Sequence, residues 1–141
     1  MIVSETKIRV YYQDTDQMGV VYYGNYARYY EIGRTEMIRD MGFTYRRMEE
    51  MNIMLPARSL KINYIKPAFY DDLLTIRTII ETIPKVKFPI KTEIYNEEGE
   101  LINYGETVLA FFNSKTNKPC PAPKYFTDEM SRIFIKNTAE R

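Results

Sequence analysis

From Met54 to Phe111 the chain alternates apolar and polar residues in four successive runs, and one stretch of helical spacing precedes them. Leu60, Ile62 and Tyr64 alternate with Ser59, Lys61 and Asn63, and Leu74, Ile76, Thr78 and Ile80 alternate with Thr75, Arg77 and Ile79. Val86, Phe88, Ile90, Thr92 and Ile94 make the third run. Leu101, Asn103, Gly105, Thr107, Leu109 and Phe111 make the fourth, after the turn Asn96-Glu97-Glu98-Gly99. A period of two sustained in this way marks strands with one buried face. The helical stretch puts Tyr22, Tyr26, Tyr29, Gly33 and Met37 on one stripe, with Tyr30 and Met41 beside it, and Gly42 is a natural C′ stop. A sheet of that extent can curl round one helix, and a helix with aromatic residues on more than one side suits such an enclosed place. Periodicity alone leads to the expectation of an α+β domain.

Shorter elements complete the outline. Ser4 to Tyr12 reads as a first strand with Thr6, Ile8, Val10 and Tyr12 on one side and Glu5, Lys7, Arg9 and Tyr11 on the other. Arg28 and Glu31 are spaced to pair on the helix surface. A second helix is expected from Tyr45 to Met51, a turn at Asn113–Asn117, an extended connector at Pro119–Pro123, and a short amphipathic helix around Thr127, Met130, Ile133 and Phe134. Pro89 cannot donate a ladder hydrogen bond, so the third run is locally an edge or carries a bulge there. The whole of 1–141 has the size of a single domain with one core.

Composition removes whole classes of chemistry. The chain has no histidine, so Ser-His-Asp and Cys-His catalysis, histidine-ligated zinc and an imidazole acid are excluded. No metal and no cofactor are expected. The 20 basic and 19 acidic residues are interspersed and leave a net charge of +1, which argues against nucleic acid or an anionic membrane as the main partner. The single Cys120 stands between Pro119 and Pro121; it fits a reducing compartment and a loop role, and without histidine it is a poor nucleophile. The first ten residues lack an apolar leader core, and no run of about 18 apolar residues occurs, so a cytoplasmic protein with no membrane insertion is expected.

What remains are carboxylates, hydroxyls and backbone dipoles, and these concentrate in Tyr11-Tyr12-Gln13-Asp14-Thr15-Asp16-Gln17-Met18-Gly19-Val20-Val21-Tyr22-Tyr23-Gly24-Asn25-Tyr26. A strand empties into a carboxylate-bearing loop and then approaches a helix N-terminus, where N–H groups have no intrahelical partner. An ionised aspartate can attack a carbonyl or deprotonate a water that does, and N–H groups at a helix start can hold the developing oxyanion. Taken alone, Asp14 and Asp16 could equally cap turns. Asp14 reads as structural, and Tyr22, Tyr26 and Tyr29 as packing residues.

That stretch, with Tyr30-Glu31, Arg34-Thr35-Glu36, Asn63-Tyr64-Ile65-Lys66-Pro67-Ala68, Asp71-Asp72 and the strand from Gly105 to Phe112, resembles the hot-dog-fold acyl-CoA thioesterases. The branch is the one related to 4-hydroxybenzoyl-CoA thioesterase and the Tol-Pal-associated acyl-CoA thioesterase. The resemblance implies a hot-dog fold, a curved antiparallel sheet wrapped around one long helix, with homodimers joined edge to edge, often paired into tetramers, and active sites at the dimer interface. It also implies an acyl-CoA substrate, with Asp16 as nucleophile or general base and the backbone N–H of Tyr23 as oxyanion donor. Gly19, Val20, Tyr22, Gly24, Asn25 and Tyr26 would line the substrate site. Arg58 and Lys61, with Lys66, are candidates for the CoA phosphates, while Glu31 and Glu36 are expected to pair with Arg28 or Arg39. Gln17-Met18 replaces the Pro-Ala that follows the acid in the 4-hydroxybenzoyl-CoA enzyme. An acyl carrier protein thioesterase and a non-catalytic acyl-CoA-binding module are the alternatives.

Overall fold

The computed structural model describes residues 1–139. Strand β1 (Ile2–Arg9) leads through a loop to helix α1 (Tyr26–Asp40), helix α2 (Tyr45–Glu50) and the two-residue strand β2 (Ile53–Met54). Four long strands follow, β3 (Ala57–Tyr64), β4 (Leu73–Ile80), β5 (Lys87–Tyr95) and β6 (Leu101–Ala110). Strands β7 (Phe112–Asn113) and β8 (Lys118–Pro119) and helix α3 (Lys124–Ala139) complete the described chain. The main sheet has the order β1-β4-β5-β6-β3 and is antiparallel throughout. A small second sheet, β2-β7-β8, closes one end.

The runs of β4 and β5 form strands with the buried face their period suggested, whereas β3 leaves Leu60 and Tyr64 exposed and packs Ile62 against the core. Leu74, Ile76, Thr78 and Ile80 of β4 and Phe88, Ile90, Thr92 and Ile94 of β5 are buried on the helix side. Val86 stays outside, exposed before β5 begins. Pairing of β4 with β5 ends at Ile79 opposite Lys91, whereas β5 pairs with β6 as far as Lys87 opposite Ala110. Pro89 therefore lies where β5 is an edge on one side, and its missing N–H leaves no gap in the β4 ladder. Helix α1 stops in a Schellman motif: Gly42, at φ +92°, donates to the Arg39 carbonyl at 2.9 Å, and Phe43 donates to the Ile38 carbonyl at 3.1 Å. Thr44 then caps α2 by accepting from the Arg47 N–H at 3.1 Å.

Several expectations are corrected. The first strand covers Ile2–Arg9 rather than Ser4–Tyr12, and Tyr12 sits in a 3-10 turn, 74% exposed, not on the inner face. Tyr22 lies outside the helical stripe: α1 begins at Tyr26, and the chain before it makes a single 3-10 turn. The C-terminal helix runs a full Lys124–Ala139, and part of the expected connector forms β8.

The core has two apolar clusters, one around Tyr26, Tyr29, Ile76, Ile94 and Ile102, the other around Met37, Ile38, Phe88, Phe111, Phe126 and Met130. Buried Thr78, Thr92, Asn103 and Thr107 also face the interior, and the Tyr30 hydroxyl donates to Asn103 Oδ1. The tightest backbone approach is at Gly105, opposite Ile62. A Cβ there would lie 2.0 Å from the Lys61 carbonyl oxygen and 2.9 Å from the Tyr30 ring. Gly105→Ala is expected to destabilise the fold by about 1–3 kcal/mol, read as a lower urea midpoint at unchanged slope.

Candidate functional site

Past β1, Val10 is held by a pair of 2.9 Å hydrogen bonds, its N–H to the Asp72 carbonyl and its carbonyl from the Asp71 N–H. The chain then turns into a short hairpin. Thr15 bridges Val21, the Asp16 N–H donates to the Val20 carbonyl at 2.9 Å, and the Tyr22 N–H donates to the Asp14 carbonyl at 2.9 Å. Gly19, at φ +80°, closes the tip by donating to the Asp16 carbonyl at 3.0 Å, in a conformation an L side chain resists. Its outer arm is tied to the rest of the fold by the Val21 N–H, which donates to the Ala68 carbonyl at 2.8 Å, and by a bridge between Val20 and Phe69.

The two aspartates of the loop have different surroundings. Asp14 is 4% exposed. Its Oδ2 accepts from the Tyr11 N–H at 3.0 Å, its Oδ1 from Arg28 Nη2, and its carbonyl from Asn25 Nδ2 at 2.8 Å. Every one of these contacts is internal, which agrees with a structural role. Asp16 is half-buried at the hairpin tip; its Oδ1 accepts from the Met18 N–H at 2.8 Å, and its Oδ2 has no partner among the described residues. That oxygen can reach a ligand.

The same hairpin feeds the 3-10 turn Tyr23–Asn25 in front of α1. The Asn25 N–H donates to the Tyr22 carbonyl at 2.9 Å. The N–H groups of Tyr23 and Gly24 find no acceptor among the described residues, as expected for the first positions of a helical segment. A Cβ at Gly24 would meet the exposed Tyr22 ring at 2.7 Å, so a side chain there would push that ring aside. Beside this turn, Val21, Tyr23, Tyr26, Tyr64, Ile65, Lys66 and Pro67 line a cleft of about 320 Å³. The Tyr64 hydroxyl donates to the Tyr23 carbonyl at 3.1 Å, and its ring meets those of Tyr23 and Tyr26 edge-on. Burial raises the hydroxyl pKa of Tyr64 and, more deeply inside, of Tyr26.

The structure thus gathers Asp16, Gly19, Val20, Tyr22, Tyr23, Gly24, Asn25 and Tyr26 on one hydrogen-bonded unit. Asn25 serves that unit from within, through its bond to Asp14, and Tyr26 is buried with its ring against Tyr64. The other two candidates lie elsewhere in the chain. Lys61 points from β3 to the sheet face away from α1, in a cleft with Glu81, Lys91 and Glu106, and Arg58 is exposed at a register shift of β3. Lys66 does line the tyrosine cleft, where it pairs with Glu100. Arg28 pairs with Asp14 and not with Glu31, while Glu36 takes Arg39 as expected. The roles of Arg28 and Tyr64 were missed from sequence because both depend on contacts between distant segments; a buried Asp14 demanding a cation was the one available hint. Cys120 is half-buried against the second apolar cluster, and burial raises its thiol pKa, which disfavours the thiolate.

The profile of the thioesterase-like superfamily matches residues 10–131. The chain belongs to this superfamily of hot-dog thioesterases. Among curated relatives of this hot-dog thioesterase, the putative acyl-CoA thioesterase YneP of Bacillus subtilis is 37% identical over 128 residues, covering 91% of this chain and 93% of its own. The acyl-CoA thioester hydrolase YbgC of Escherichia coli is 33% identical over 125 residues, covering 89% and 93%. A crystal structure of a DHNA-CoA thioesterase from Staphylococcus aureus superposes with a TM-score of 0.89 at 37% identity, over 100% of this chain and 97% of the other. Among the described residues, the hot-dog thioesterase has no cluster of three or more histidine, cysteine or acidic side chains that could hold a metal ion, and no helix long and apolar enough to cross a membrane.

The core behind the site, where Tyr29 and Tyr30 are fully buried, has its own pH signature. Burial, followed by the charge of Asp14 for Tyr29 and by neighbouring tyrosines for Tyr30, raises both hydroxyl pKa values well above the ordinary 10.0. Folded protein then keeps protons that the unfolded chain releases. Stability from these groups is fully present below pH ~10 and is lost as pH rises beyond it. Denaturation midpoints measured between pH 8 and 12 should hold level up to about pH 10 and fall above it, and Tyr30→Phe should make the fall shallower.

Proposed function

We propose that this thioesterase hydrolyses an acyl-CoA by using Asp16 against the thioester carbonyl and the N–H groups of Tyr23 and Gly24 as the oxyanion site. The observation that carries the reading is the shared unit: a carboxylate with one free oxygen at the hairpin tip, and two unpaired N–H groups at the far end of the same hairpin. Family membership and curated relatives support an acyl-CoA thioester as substrate.

The chemistry needs no group the chain lacks. As nucleophile, an Asp16 oxygen adds to the carbonyl carbon while the π pair moves onto the carbonyl oxygen, toward the Tyr23 and Gly24 N–H groups. Collapse expels CoA as its thiolate, which takes a proton, and water opens the mixed anhydride to release the carboxylic acid and restore Asp16. As general base, Asp16 instead takes a proton from the attacking water, and that proton leaves with the thiol. Single-turnover hydrolysis in ¹⁸O-water separates the two, since only the anhydride route can leave label in the Asp16 carboxylate. In either route Asp16→Asn is expected to lower kcat by roughly 10²- to 10⁴-fold with the fold retained. Full activity of that variant in a thiol-release assay sinks the assignment.

The tyrosine-walled cleft beside Tyr23 favours a flat acyl group, and the Staphylococcus aureus relative is named for an aromatic acyl-CoA. In a panel of short, medium, long and aromatic acyl-CoAs, an aromatic member is expected to give the highest kcat/KM. The working unit is a homodimer or a pair of dimers. Strand β3 is an edge of the sheet along its whole length and exposes Leu60 at 45% and Tyr64 at 52%, an edge that water-exposed proteins avoid leaving open. Leu60→Lys is expected to shift sedimentation toward monomer and to lower activity with it. The free Cys120 thiol suits a reducing compartment, and we place the reaction in the cytoplasm.

A further inference from the structure

We infer that the Asp14–Arg28 ion pair is a positioning device that sets the distance between the attacking carboxylate and the oxyanion site. The inference rests on the reading of Asp16 and the Tyr23 N–H given above. The side chain of Asp14 is 5% exposed and that of Arg28 48% exposed, so the carboxylate is fixed inside while the guanidinium reaches down to it from the surface of α1. Arg28 is also steadied by the Tyr29 ring, whose centre lies 5.2 Å from the guanidinium carbon.

Asp14 is where three segments meet. Its side chain takes the Tyr11 N–H from just beyond β1 and Arg28 from the first turn of α1. Its backbone carbonyl takes the Tyr22 N–H and the Asn25 side chain from the chain between them. Two residues after Asp14 comes Asp16, and one residue after Tyr22 comes Tyr23. Movement of the hairpin against the helix start would change the separation of Asp16 from the Tyr23 N–H, and it is resisted at Asp14 by bonds to both. Among the described residues, Arg28 is the only cationic side chain paired with this buried carboxylate. Removing it leaves a desolvated charge that the loop must relieve by opening. Local misplacement of reacting groups on the scale of an ångström is enough to slow a chemical step strongly.

A half-exposed arginine near a CoA site could instead serve only to bind phosphate, and kinetics tell the two apart. In Arg28→Met, kcat is expected to fall roughly ten- to hundredfold while KM stays within about twofold. Backbone amide exchange should quicken at Tyr11 and Tyr22 and stay unchanged in β4, and Arg28→Lys should restore most of kcat. A raised KM with wild-type kcat, or unchanged exchange at Tyr11 and Tyr22, overturns the inference. If Arg28→Met does not fold, the double variant Asp14→Asn with Arg28→Met removes both charges; a kcat lowered to the same degree supports the device and a wild-type kcat overturns it. Full activity of Asp16→Asn would defeat the catalytic reading, whereas the exchange rates judge the tie independently.

Discussion

A helix carrying tyrosines on one side can be enclosed by a sheet only if the two backbones find places with no side chain between them. Gly33 on α1 faces Ile76 and Thr78 of β4, where an added Cβ would meet both side chains at 2.6 Å, and Gly105 on β6 leaves room for the Tyr30 ring. With those contacts made, Tyr30 reaches Asn103 and the in-facing residues of β4, β5 and β6 close over the helix. Everything at the functional end depends on this seating. The direction in which α1 presents its first turn is set by where its middle rests on the sheet.

The interior between helix and sheet is not uniformly apolar. Thr78, Thr92, Asn103 and Thr107 place oxygen and nitrogen atoms among the buried aliphatic side chains. Slipping a strand by one residue would turn these groups outward and bring charged neighbours such as Arg77 or Glu106 inward. The charged residues on the outer face therefore specify register, because a slip would bury them.

The regular elements were legible because their causes are local. Alternation located the four long strands, Gly42 ended α1 through the backbone conformation that glycine tolerates, and Pro89 marked a one-sided edge. The failures share a different origin. Tyr12 and Tyr22 carry the same side chain as Tyr29 and Tyr30, yet the first pair is exposed and the second buried; a large aromatic residue fits a core and a binding wall equally well, and period alone does not separate them. Arg28 and Glu31 satisfied the spacing rule for a helix pair, but a buried carboxylate from another segment is a stronger partner than an exposed one on the same helix. At the candidate site, the motif pointed to Asp16 and its loop, while Tyr64 and Arg28 arrive through contacts 41 and 14 residues away in sequence.

The hairpin that carries Asp16 is shaped mainly by backbone hydrogen bonds, and the unpaired N–H groups of Tyr23 and Gly24 are backbone too. The side chains of Met18, Tyr22 and Tyr23 point to solvent or to the cleft and take little part in holding that geometry. On the proposed reading, mutation can therefore reshape the cleft wall while the frame behind it stays intact. A scaffold divided in this way can drift from one acyl group to another through single substitutions without passing through an inactive intermediate.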